Sequence, residues 1–194
     1  MMKHLFTVVW ISLVFSVSSF SEKPVVKYDR NKNLTFVFYN TENLFDTVNN
    51  QGARDGEFTP GGKNKWTNER YQKKLADISK VLSSVNKQEL PEIIGLCETE
   101  NRSVLNDLVK TTALAKGNYN IVQFESPDYR GIDCALLYRP DEFKVTTAKA
   151  IPVYFPDDPE YSTRDILYVK GKTGNGENWH IFVNHWPSRT GGLQ

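Results

Sequence analysis

The stretch that most limits how this chain can fold is its last apolar run, Trp179-His180-Ile181-Phe182-Val183, which stops at Asn184-His185-Trp186-Pro187-Ser188-Arg189. Ile181 and Val183 alternate with Phe182, the pattern of a buried strand. Pro187 has no N–H to give a ladder, so pairing must end before it. A histidine, an asparagine and an arginine therefore gather where a core strand surfaces, and in sheet-based α/β folds that rim is where chemistry collects. The plainer alternative is a His-Trp pair closing a loop, and this stretch alone does not decide between them.

Other apolar runs stop in the same way. Leu34 to Tyr39 has strand composition and ends at Asn40-Thr41-Glu42-Asn43. Pro91 restarts the chain into Glu92 to Cys97, a strand buried on both faces that ends at Glu98-Thr99-Glu100-Asn101. Between them, Thr47 to Lys65 is rich in glycine and reads as a long surface loop, functional or mobile, in which Phe58 and the following Trp66 are offered to nucleic acid or lipid. Trp66 to Asn86 is a helix capped by Thr67, with Tyr71, Leu75, Ile78, Leu82 and Val85 on one face. Ser103 to Lys116 is a second helix stopped by Gly117. Strands follow at Tyr119 to Phe124, Asp133 to Tyr138 and Phe143 to Ile151, and Ile166 to Val169 pairs with Trp179 to Val183 as a hairpin. Helices on one face of a sheet leave its other face in need of a partner layer.

Residues 1–21 have the form of a secretory signal peptide: Lys3 and His4, the apolar Leu5 to Val17, then small residues for cleavage. The apolar run is shorter than the ~20 residues of a membrane span. This predicts a secreted or periplasmic protein with one domain over residues 22–194. Cys97 and Cys134 lie inside strand patterns; they could pair in an oxidising compartment, but strand-interior cysteines favour buried thiols. The net charge of +1 lacks the basic excess expected of a protein that grips duplex DNA by phosphate contacts alone.

Glu98, a carboxylate directly after an apolar strand and beside Asn40 on a neighbouring one, suits a hard divalent ion such as Mg²⁺. Its structural alternative is to cap the following helix or pair with Arg102. Arg164 can fork onto a phosphate or form a surface pair with Asp165. His185 can donate to a phosphoryl oxygen or shuttle a proton, and Asn184 can orient it. Tyr129, Arg130 and Arg189 are candidate phosphate contacts, and Asp133 a tether for Arg164. Singly these are ordinary surface residues. Together they match one task, metal-assisted attack on a phosphate ester.

The stretches Phe38-Tyr39-Asn40-Thr41-Glu42-Asn43-Leu44-Phe45-Asp46, Gly95 to Asn101, Tyr129 to Tyr138, Ser162-Thr163-Arg164-Asp165 and Val183 to Arg189 resemble, in this order, motifs of the endonuclease/exonuclease/phosphatase superfamily, and of its secreted bacterial branch in particular. The resemblance implies a four-layer α/β sandwich of two mainly antiparallel sheets flanked by helices. It also implies Mg²⁺- or Mn²⁺-dependent hydrolysis of a phosphate ester in nucleic acid, phospholipid or an inositol or sugar phosphate. By position it makes Glu98 the metal ligand and sets Asn40 near the metal and scissile phosphate. It makes Arg164 a phosphate contact and His185 the catalytic histidine. The superfamily's Gly-Asp-x-Asn segment and terminal Asp-His pair do not occur in this sequence. The expectation is an N-terminal portion of such a domain with an incomplete second half and little activity alone. The alternative is a secreted binding module that keeps the fold without the chemistry.

Overall fold

The computed structural model describes residues 33–50 and 52–187; the signal-peptide assignment and Arg189 lie outside them. The apolar runs become strands β1 (Phe36–Leu44), β2 (Ile93–Thr99), β3 (Asn120–Gln123), β4 (Asp133–Tyr138), β5 (Phe143–Ile151), β6 (Ile166–Thr173) and β7 (Asn178–Val183). Helix α1 (Asn68–Ser84) follows β1, and α2 (Arg102–Lys110) follows β2.

One sheet has the order β1-β2-β4-β3, the other β5-β6-β7. Among the described strands only β1 and β2 run parallel, which requires the crossover that α1 supplies; the other pairs are antiparallel. Strand alternation distributes the core. On β2 and β4, Ile94, Leu96, Ala135 and Leu137 meet Tyr71, Leu75, Ile78 and Leu82 of α1 and Val104, Leu105 and Leu108 of α2. The intervening Ile93, Cys97, Cys134 and Leu136 face Leu167, Val169, Ile181 and Val183 of the second sheet. The described residues thus form helices, a four-stranded sheet and a three-stranded sheet in successive layers, the two packed sheets and flanking helices expected from the sequence. Gly95 lets the sheets close: a Cβ there would stand 3.3 Å from Val183 Cγ2.

Thr67 caps α1, accepting from the Arg70 N–H. The second helix is shorter than its expected span. Thr111 leaves helical geometry at ψ 148° while its hydroxyl bonds back to Leu108 O, and a separate 3-10 turn covers Ala115–Gly117. Cys97 and Cys134 face each other in register, buried and free, and burial raises both thiols. The expectation that Phe58 and Trp66 reach for a ligand is corrected. Phe58 stacks on buried Phe45 at 4.2 Å, and buried Trp66 donates Nε1–H to Phe45 O, so both anchor the loop to the core.

Candidate active site

The site forms where the β1–β2 ladder breaks. Asn40 pairs with Cys97, but the next pair is Leu44 with Thr99; on the other side Cys97 pairs with Cys134, and the next pair is Thr99 with Asp133. Glu98 is therefore the bulged residue against β4, with φ at +60°, whereas in the β1–β2 pair the extra residues lie on β1. Glu42 and Asn43 opposite it also hold positive φ, 54° and 65°. Non-glycine residues in this region cost about 1–3 kcal/mol each and persist where surrounding structure over-determines them. Here it does. Thr41 Oγ1 lies 2.9 and 2.8 Å from the carbonyls of Cys97 and Glu98, Asn43 N–H donates to Glu98 Oε2 at 2.9 Å, and Asn40 Oδ1 accepts from Glu42 N–H.

Two residues on, Glu100 holds the same loop from beneath. It is buried, accepts from Asp46 N–H at 2.7 Å and from the Asn50 side chain, and donates its own N–H to Leu44 O. Burial, reinforced by Asp46 and Asp55, pushes its carboxyl up to about 8. The sequence reading passed over Glu100; its only signal was an acid at even spacing from Glu98.

The other half of the site comes from β7. His185 Nε2 stands 3.3 Å from Glu98 Oε1. Burial and the Arg164 charge lower the imidazole's affinity for a proton, outweighing the opposing pull of Glu98. A neutral ring places its proton on Nε2, toward Glu98, and leaves a lone pair on Nδ1. Nδ1 is indeed buried with no hydrogen-bond partner among the described residues. The two residues that the sequence set at separate strand ends are in contact.

Arg164, expected to fork onto a phosphate, turns its guanidinium to partners within the chain. It is 5% exposed, with Nε donating to His185 O, Nη2 to Trp186 O and Nη1 to Asp128 Oδ2 at 2.9 Å. Its guanidinium holds the backbone that carries His185. The tether is also corrected: Asp133 accepts from Ser126 and Gln123, and Asp128 grips Arg164. Arg130, one-third exposed, lies 3.5 Å from Asp128 Oδ1 and adds its charge at His185. Tyr129 is exposed, with the Arg54 guanidinium 5.5 Å from its ring centroid. Asn184 is half-buried, its amide 3.5 Å from Phe182 O. The alternative roles for Glu98 fail as well, because Asn101 caps α2 and Arg102 donates to Ile121 O.

The donor set suits a hard divalent ion in the open mode. Glu98 sits at the rim, its side chain 14% exposed. Among the described residues, no group of three His, Cys, Asp or Glu could hold a metal. A closed protein cage is thus absent there, whereas Mg²⁺ takes one or two carboxylates and completes its octahedron with waters and substrate oxygens.

The chain is similar to several solved structures. The catalytic domain of human Nocturnin with bound sulfate matches at 23% identity over 52% of this chain and 39% of that one, with a TM-score of 0.38. Humanized D. rerio TDP2 matches at 13% identity over 77% and 45%, TM-score 0.44. ANGEL2, a 2',3'-cyclic phosphatase, matches at 11% identity over 80% and 41%, TM-score 0.45. The chain thus spans less than half the length of each of these. No curated protein sequence matches it. The sequence model of the Endonuclease/Exonuclease/phosphatase family matches residues 35–194, which include β1 through β7 and every described residue of the site. The chain belongs to the endonuclease/exonuclease/phosphatase family.

Proposed function

We propose that this chain carries the metal- and phosphate-holding part of a divalent-metal-dependent phosphoesterase. The supporting observation is the contact of Glu98 with His185 at a bulge held by the Thr41 hydroxyl and the Asn43 N–H. Glu98 and the amide oxygen of Asn40 hold Mg²⁺ or Mn²⁺, and the ion, when bound, polarises a phosphoryl oxygen as a Lewis acid. His185, neutral at pH 7, is released from Glu98 to donate Nε2–H to a non-bridging oxygen of the phosphate. Arg130, Tyr129 and Asn184 contact the phosphate from the rim, and Arg189 belongs to the same proposal. Arg164 and Asp128 touch no substrate; they fix where His185 points.

Water activation is not provided by the described cluster. Asp128 is engaged by Arg164 and Arg130, and Glu98 is reserved for the ion. Turnover by this chain therefore stays near background while ligand binding persists. Export on the leader of residues 1–21 is part of the same proposal, and among the described residues no helix is long and apolar enough to cross a membrane.

The test is ³¹P relaxation of dimethyl phosphate with Mn²⁺ and the purified chain. The expected result is paramagnetic broadening that Glu98→Gln removes and that Arg130→Ala reduces several-fold. Equal broadening by wild type and Glu98→Gln would reject the reading, as would no broadening at all.

A further inference from the structure

The chain has two cysteines, and the fold sets them directly opposite one another on adjacent antiparallel strands, Cys97 on β2 and Cys134 on β4. Both belong to the core between the sheets, with Ile93, Leu136, Leu167 and Val183. Residues directly opposed across an antiparallel pair have Cα atoms about 4.5 or 5.5 Å apart, depending on whether the pair is hydrogen-bonded. A disulfide spans Cα separations of about 4.4–6.8 Å, so either kind of pair lies within its reach. The Cβ atoms of such pairs stand about 4.5–5.5 Å apart, against about 3.5–4.5 Å in a disulfide, so closure asks the strands to approach by about an ångström. The ladder is able to give at this place. From Ile93 to Cys97 its register runs unbroken, but the next pair is Thr99 with Asp133, and the bulge at Glu98 lies between. Among the described residues no metal-type cluster claims either thiol.

Access decides when the two sulfurs join. Cys97 is 1% exposed and Cys134 4%. The space beside Cys134, lined also by Ser126, Asp133, Asp165 and Leu167, measures about 10 Å³, the room of about one water molecule. A reagent the size of glutathione does not enter it. The pair therefore oxidises while the sheets are still coming together, or when they part, and the state reached at folding is kept. The chemistry is thiol–disulfide exchange. One cysteine gives up its proton, and its thiolate attacks an external disulfide such as oxidised glutathione, expelling one glutathione thiolate that takes up a proton. The second cysteine thiolate attacks the resulting mixed disulfide and expels the other glutathione thiolate, which is protonated in turn. Two cysteine thiols are oxidised and one external disulfide is reduced to two thiols.

We propose that Cys97 and Cys134 form a cross-strand disulfide when the chain folds under oxidising conditions, clamping β2 to β4 beside the Glu98 bulge. The link closes a loop that contains α2 and β3, and it restricts the unfolded chain accordingly. It is independent of the phosphoesterase reading. The test refolds the whole chain from denaturant in a mixture of reduced and oxidised glutathione, and separately in dithiothreitol. Free thiols are then blocked with iodoacetamide in denaturant and the peptides mapped by mass spectrometry, while unblocked samples are melted. The expected result from the glutathione mixture is a monomer in which Cys97 and Cys134 escape blocking and are joined to each other. Its thermal midpoint lies about 10 °C above that of the dithiothreitol sample. The comparison of two redox states of one sequence needs no variant to fold. Blocking of both cysteines after refolding in glutathione overturns the proposal, as does a link found only between chains. A joined chain that melts at or below the reduced one overturns it too, and so does an equal rise in Cys134→Ala, where Cys97 has no partner.

Discussion

The Arg164–Asp128 pair shows how a buried charge can serve geometry rather than substrate. Both side chains are almost fully enclosed, and Arg164 also holds the carbonyls of His185 and Trp186. Removing one partner strands the other charge, so Arg164→Met should lower stability by about 3–5 kcal/mol, whereas pairing it with Asp128→Leu should recover much of that loss. Urea unfolding of the single and double variants measures both. Asp133 gives a residue-scale pH dependence. Burial raises its carboxyl from the ordinary value to about 7, against hydrogen bonds from Ser126 and Gln123 that favour the anion. A carboxyl raised in the folded state holds a proton that the unfolded chain has already lost. Its favourable contribution is therefore complete below about pH 4 and disappears as pH climbs to about 7. Unfolding midpoints should fall over that window, and Asp133→Asn should flatten the fall. His185 acts oppositely below about 6.5, where its lowered proton affinity makes acid unfavourable to the fold.

Among the elements, the caps and breaks decide where side chains land. Asn101 accepts from Ser103 N–H at 2.7 Å and Val104 N–H at 3.1 Å, closing the turn between β2 and α2. Asn101→Ala should cost about 1 kcal/mol by urea titration while leaving the Glu98 contacts intact. Strand periodicity was legible in the sequence because alternation on β2 and β4 is dictated by two different apolar layers. Thr67 was legible as a cap for the same local reason. The end of α2 was not, since Leu114 keeps the apolar spacing although Thr111 has already turned its hydroxyl back on the helix. The bulge at Glu98 was also hidden. Nothing in Cys-Glu-Thr announces a left-handed glutamate; it follows from tertiary bonds with Thr41 and Asn43.

Across the molecule, the site exists because two sheets close on each other at Gly95 and Val183, bringing the end of β2 against the end of β7. The residue types at those ends prompted the joint reading of Glu98 and His185, and the fold does bring the two side chains into contact. What the sequence could not separate was substrate contact from support: Arg164 and Asp133 have the right chemistry for the roles first given them, and only burial and partners reassign them. The claim on which everything else turns is that Glu98 anchors a divalent ion. Electron paramagnetic resonance of free Mn²⁺ titrated with the chain tests it most directly. One site per chain that is lost in Glu98→Gln and kept in Glu125→Gln is the predicted result; identical Mn²⁺ binding by wild type and Glu98→Gln would contradict the account.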